Sequence, residues 1–366
     1  MNRRRFLKQG IGLSAGLAVA GLPRPGDIAL ASSEAKWRTF EVVTRVEPAS
    51  PSGVTRAWIP VPLMTDTDYF RRLGDTWKGN AATMRAARDE KYDAGFVYAE
   101  WPGTEKAPLI EVVSRFSARD RFVDLSKSPA GAAKEDPATL RKYLEPTSLI
   151  PTDGLVLETS QQIVKGQSTE VAKARAIYEW IVDNTFRDPK VKGCGVGDIK
   201  TMLETRYLGG KCADLNALYV GLARAAGLPA RDVYGVRCAD SAEFKSLGKS
   251  GEISKAQHCR AEVYLTGYGW VPVDPADVRK VVLEEKPGGT IPLTDPAVFK
   301  ARAKLFGAWE MNWLAYNYAH DVKLPGSTGK PVPFLMYPQS ETDEGRKDSL
   351  DPTSFRYTIT SKEVIG

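Results

Sequence analysis

Gly209-Gly-Lys-Cys-Ala-Asp-Leu-Asn-Ala-Leu-Tyr-Val-Gly-Leu-Ala-Arg-Ala-Ala-Gly-Leu-Pro-Ala-Arg231 is the stretch that organises the rest of the chain. Leu215, Leu218, Leu222 and Ala225 recur at helical spacing on one face, and Gly227 with Pro229 ends the pattern, so a helix is predicted over residues 212–226. Three strands are predicted to follow, over residues 230–237, 260–265 and 269–273, the last two joined by the hairpin loop Thr266-Gly267-Tyr268. A helix followed by strands that turn back on one another is an α+β pattern.

Cys212 falls in the first turn of that helix. Unpaired N–H groups and the positive dipole end there favour the thiolate, and the same donors suit the oxyanion of a tetrahedral intermediate. Glycines before it let a substrate backbone approach closely. The chain has 2 histidines, so a base for this thiol has few sources. Strand alternation places Cys259 and Ala261 on the face opposite His258 and Arg260, which frees His258 to point at Cys212. Asp274 ends the next strand, where it can accept a hydrogen bond from one imidazole nitrogen and leave the other for the thiol. Singly, the three read as a small residue at a helix start, a solvated strand end and an Asp-Pro turn; together they form a nucleophile, a base and an orienting carboxylate.

Gly-Gly-Lys-Cys212-Ala-Asp-Leu-Asn-Ala-Leu, Leu222-Ala-Arg-Ala-Ala-Gly-Leu-Pro-Ala-Arg231, His258 with Glu262-Val263-Tyr264, and Gly269-Trp270-Val271-Pro272-Val273-Asp274-Pro275 together resemble the transglutaminase-like superfamily over roughly residues 160 to 280. The resemblance implies a papain-like core with a Cys-His-Asp triad at Cys212, His258 and Asp274. It also implies a range of activities: cross-linking transglutaminases, proteases, amidases that remove glycans from proteins, and inactive binding proteins. The N-terminal Trp58-Ile-Pro-Val-Pro62 segment is similar to the β-sandwich that precedes bacterial members. One departure is Arg260, where many members carry an aromatic residue two places after the histidine.

Asn2-Arg-Arg-Arg-Phe-Leu-Lys8, a weakly apolar Gly/Ala run from Ile11 to Leu22 and Ala29-Leu-Ala31 read as a Tat-type export signal over residues 1–31. No other apolar stretch is long enough for a membrane span. Without that signal the 51 basic and 45 acidic groups become 46 and 44, a net charge of +2, which argues against a nucleic-acid partner. The 4 cysteines have neither CxxC spacing nor enough histidines around them for a structural zinc site, so no metal is expected. In an oxidising compartment one disulfide among Cys194, Cys238 and Cys259 is expected; Cys238–Cys259 is preferred, and the alternatives place Cys194 against Cys259 or near Cys212. The loop Gly193-Cys-Gly-Val-Gly197 lacks the lysine and strand-loop-helix context of a phosphate cradle, and no organic cofactor is implied.

Alternating strand patterns fill residues 36–125, read as a β-sandwich, with Pro60 and Pro62 confining their segment to an edge or strand end. A linker and helical connection follow over residues 126–159, the catalytic core over 160–290 and a C-terminal extension packed on the core over 291–366. Helices are predicted at 136–144, 155–165 and 168–184. Trp180, Asn184 and Tyr207 are weak candidates to complete an oxyanion hole. Arg231 reads as the partner of a carboxylate inside the fold, and His320 as part of an aromatic-rich helix packed on the core. Residues 331–338 and 354–360 read as extended segments added to a sheet edge. The chemistry expected is amide or peptide-bond cleavage through an acyl-enzyme, on protein or peptide substrates such as those of the cell envelope. The alternatives are transamidation, in which an amine replaces water, and a binding scaffold without turnover.

Overall fold

Side chains alternate in and out along Arg38–Pro48 (β1), where Phe40, Val42, Thr44 and Val46 are buried, as a half-buried strand requires. The computed structural model describes residues 36–49, 51–127 and 134–364; the expected export signal lies outside the described residues. After β1 come Thr55–Pro60 (β2), Phe70–Gly79 (β3), Thr83–Arg88 (β4), Gly95–Trp101 (β5) and Ile110–Ala118 (β6). Pro60 closes β2, where its missing N–H costs the ladder nothing. Helices Pro137–Lys142 (α1), Gly154–Ile163 (α2), Glu170–Asn184 (α3), Ile199–Thr205 (α4) and Cys212–Ala225 (α5) follow. Strands Ala230–Arg237 (β7), Gln257–Leu265 (β8) and Gly269–Val273 (β9) then lead into helices Pro275–Glu284 (α6) and Pro296–Lys304 (α7). The last long elements are strands Trp313–Asn317 (β10), Gln339–Thr342 (β11) and Phe355–Glu363 (β12).

Two five-stranded sheets form a sandwich. One runs from the short strand Gly251–Glu252 through β12, β1 and β6 to β3, and the other from Gly345–Arg346 through β11, β2 and β5 to β4. Val46, Ile59, Val97, Trp101, Ile110, Val112 and Phe355 fill the space between them. Both C-terminal strands belong to this sandwich: β12 pairs antiparallel with β1 from Phe40↔Glu363 to Pro48↔Phe355, and β11 pairs with β2. A third, antiparallel sheet has the order β9-β8-β7-β10, and α5 packs against it within one apolar cluster. Every residue of α5 from Cys212 to Arg224 is buried, so it is the central helix of this layer and not an amphipathic surface helix.

Two expectations are corrected. All four cysteines are free and buried. β7 and β8 are antiparallel neighbours, but Cys259 stands opposite Tyr234. Cys238 lies four residues beyond Tyr234, about 13 Å along the strand and outside the span of a disulfide. The two thiols accordingly sit in different apolar clusters. The segment around His320 is also extended, with β10 and a short strand His320–Val322 in place of a helix, although its aromatic residues do pack inward. Its β-branched and aromatic content fits a pleated surface as well as a helix face, and pairing with β7 decides the matter.

Glu262 of β8 links the two parts of the molecule. Fully buried, it pairs with Arg121 and with Arg231, whose Nε lies 2.5 Å from Glu262 Oε2, and it accepts the Tyr69 hydroxyl at 3.3 Å. Arg231 stacks between Trp270 and Tyr318 at 3.9 and 3.8 Å from their ring centres. Removing the carboxylate strands two guanidiniums in the interior. Glu262→Ala is therefore expected to lose about 3–5 kcal/mol of stability in urea unfolding, while Arg115→Ala, at an exposed pair, loses about 1 kcal/mol or less.

Candidate active site

Cys212 opens α5 and is 3% exposed, its surface facing a cavity of about 670 Å³ that Cys194, Lys211, Gln257, His258 and Tyr337 also line. The loop before the helix is not free to move as its glycines suggest. Asp214 Oδ1 accepts the Val196 and Gly197 N–H groups, each at 2.9 Å, and its Oδ2 accepts the Lys211 N–H at 2.9 Å. Gly195 has φ +93, and a β-carbon there would lie 1.8 Å from Asp214 Oδ2, so only glycine lets the loop close on this carboxylate. Cys194 is held at both backbone groups, its N–H donating to Tyr337 Oη at 2.9 Å and its carbonyl accepting the Ala213 N–H at 2.9 Å, and its one thiol proton lies between the Gln257 carbonyl, 3.1 Å from Sγ, and Cys212. The bond from Ala213 occupies one of the helix-start donors. Among the described residues the Cys212 N–H has no acceptor, which leaves it for an oxyanion.

His258 lies on β8 beside the helix start. Its Nε2 is 2.8 Å from Asp274 Oδ2 and 3.3 Å from Asp277 Oδ2, and its other ring nitrogen remains for Cys212. Asp274 follows β9 directly and caps α6: its Oδ1 accepts the Asp277 N–H at 3.0 Å and the Asn216 amide at 3.2 Å. Asn216, one turn after Cys212, also donates to the Cys259 carbonyl at 2.8 Å and so ties α5 to β8. Arg237 of β7 pairs with Asp277 at 2.6 Å. The structure thus brings Cys212, His258 and Asp274 together and adds Asp277 and Arg237. Neither is among the sequence candidates; the signal for them is Asp-Pro-Ala-Asp277, a second carboxylate in the first helical turn after Asp274.

These contacts set the protonation of the site. Burial and the nearby Arg237 oppose a charge on His258, but Asp277 and Asp274 prevail and raise its pKa to about 10. Hydrogen bonds from the Cys194 and Cys259 thiols, joined by His258, overcome burial and hold Cys212 well below an ordinary thiol. Burial and the neighbouring Asp277 raise Asp274, while Arg237 overcomes burial to keep Asp277 firmly ionised. Both directions favour the thiolate of Cys212 and the imidazolium of His258. His258, Asp274 and Asp277 form a group with metal-ligand donors within 4.8 Å of one another. Arg237 on Asp277, and Arg260 with its Nε 3.7 Å from Asp274, already supply positive charge that would repel a cation.

The weaker sequence candidates lie elsewhere. Asn184 donates to the Trp180 carbonyl, Tyr207 is exposed and donates to Asp188, and neither of them nor Trp180 lines the cavity. His320 is buried beside Asp232 at 3.3 Å and Tyr234. Arg260 does not reach the cavity either: it is buried near Trp313 and donates to the Glu310 carbonyl.

The profile of the transglutaminase-like superfamily matches residues 158–275, which include all three residues of the constellation. An uncharacterized protein of Haemophilus influenzae is 33% identical over 342 residues, 89% of this chain and 90% of its own length. Among solved structures, a candidate cysteine protease from Cytophaga hutchinsonii has a TM-score of 0.50 at 16% identity, covering 90% of this chain and 99% of its own. The periplasmic domain of TgpA from Pseudomonas aeruginosa has a TM-score of 0.33 at 18% identity, covering 70% and 94%. The chain belongs to the transglutaminase-like superfamily. Its likeness to the Cytophaga protein extends the shared fold to the sandwich as well as the core.

The charge state has a direct consequence for pH. A depressed thiol pKa leaves the thiolate populated as pH falls, and a His258 pKa of about 10 keeps the imidazolium up to that pH. Alkylation of Cys212 by iodoacetamide is expected to hold nearly constant from pH 9 to pH 6, where an ordinary thiol slows about tenfold per unit. In His258→Ala, which removes the imidazolium's share of that depression and leaves the Cys194 and Cys259 hydrogen bonds, the rate is expected to fall with decreasing pH more than in wild type. Mass-resolved labelling at each pH reads both.

Proposed function

We propose that the protein is a thiol hydrolase that cleaves amide or peptide bonds through an acyl-enzyme at Cys212. The observation that carries this reading is the placement of Cys212 at the start of α5, facing a cavity with His258, whose far nitrogen is 2.8 Å from Asp274. The Cys212 thiolate attacks the amide carbonyl, and the oxyanion meets the Cys212 N–H. His258 gives its proton to the leaving amine, the C–N bond breaks and a thioester remains. Neutral His258 then takes a proton from water as the water attacks the thioester. The carboxylic acid departs and the thiolate and imidazolium are restored. Asp274 holds the ring in the required orientation and opposes loss of its charge, with Asp277 beside it.

The segment over residues 1–31 supports export, and among the described residues no helix is long and apolar enough to cross a membrane. Peptides of the cell envelope are then the substrates within reach. The test uses the mature protein with envelope extract. Asp274→Asn is expected to slow turnover by about 10²-fold or more and to accumulate a thioester on Cys212, visible as an added mass that Cys212→Ala never gains. A labelled amine present in excess should not enter the product. If it replaces water quantitatively, the activity is transamidation; if neither variant nor wild type forms an adduct, the hydrolase reading is wrong.

A further inference from the structure

The cavity over Cys212 is far more basic than the chain that builds it. Residues 32–366 are nearly balanced in charge, yet the cavity wall carries seven Lys and Arg side chains against one carboxylate, Glu252. Four of the seven are occupied. Arg187 and Lys280 both pair with Glu284, Arg237 pairs with Asp277, and Lys192 lies 3.4 Å from Asp348. Among the described residues Lys211, Lys249 and Lys255 have no carboxylate within ion-pair distance. Lys211 adjoins Cys212 in sequence, and Lys249 and Lys255 are exposed on the segment that leads into His258. Glu252 lies between those two in sequence and accepts the Ser254 N–H at 3.1 Å. Cys212 and His258 together carry no net charge wherever the shared proton sits, so the field at the mouth is set by the lysines.

Two exposed ammonium groups and the half-buried Lys211 around one reactive thiol raise the local concentration of anions, an effect that a low-dielectric wall strengthens and salt weakens. We infer that the cleft takes peptides bearing carboxylates close to the scissile bond, and that Lys211, Lys249 and Lys255 are the side chains that select them. The inference rests on the reading of Cys212 as the nucleophile. It adds a substrate class, acidic peptides, to a mechanism that is itself indifferent to side-chain charge.

Two pairs of thiol-directed probes test it on the folded mature protein without a known substrate. Iodoacetate and iodoacetamide alkylate by the same displacement, in which a C–S bond forms, the C–I bond breaks and iodide leaves; they differ in charge. Peptidyl chloromethyl ketones with Glu or Gln beside the reactive group extend the comparison to peptides. In wild type at low salt the anionic member of each pair is expected to gain about tenfold over its ratio towards glutathione, and to lose that gain near 1 M salt. Lys249→Gln/Lys255→Gln, at exposed positions, is expected to cut the gain severalfold, and adding Lys211→Gln to abolish it. A ratio equal to that of glutathione, or one that the lysine substitutions leave in place, overturns the inference while the nucleophile assignment stands. Unreactivity of Cys212 towards both members removes the nucleophile assignment and this inference with it.

Discussion

Asp274 is the residue on which the site depends, because three structures end or begin on its two oxygens. As the last residue after β9 it accepts the N–H that starts α6; through Asn216 it is tied to α5; and its remaining oxygen faces His258. A carboxylate with no solvent exposure is costly unless every lone pair is used. Here the partners are a helix N-terminus, a side-chain amide and an imidazolium, which are the groups that fix the positions of α6, α5 and β8. Orientation of the histidine and assembly of the core are therefore one physical event.

The second layer explains how so much charge is tolerated in one place. Asp274 and Asp277 both approach His258, and like charges this close would drive one proton back on. Arg237 on Asp277 and Arg260 near Asp274 offset that repulsion. Arg260, at the position where a family resemblance leads one to expect an aromatic ring, faces the carboxylates and not the cavity, so the departure changes the electrostatics behind the site. Glu262 plays the corresponding role between the core and the sandwich, holding Arg121 and Arg231. A buried pair of this kind adds little net stability, but losing one member is expensive, and that asymmetry fixes which segments belong together.

Much of this was legible in the chain because the signals are local. The period of Leu215, Leu218 and Leu222, the stop at Gly227, and the hairpin at Thr266-Gly267-Tyr268 mark α5, β8 and β9 with few competing readings. The strands 230–237 and 269–273 were read to the residue. Helix α6 and the strand character of 313–322 were missed, since short apolar runs fit either conformation. Nothing local in Gly193–Gly197 shows that Asp214, nearly 20 residues later, ties the loop down.

By itself, the sequence determined the order of the core elements and the three residues proposed to carry the chemistry, because helix period, turn residues and scarcity of histidine are legible without the fold. Tertiary structure alone decided the register that keeps Cys238 from Cys259, the insertion of β11 and β12 into the sandwich, and the convergence of Cys194, Asp277 and Arg237 on the site. Each of these is a pairing between residues distant in the chain, and which pairing wins depends on desolvated charge and strand alignment, quantities that exist only once the chain has folded.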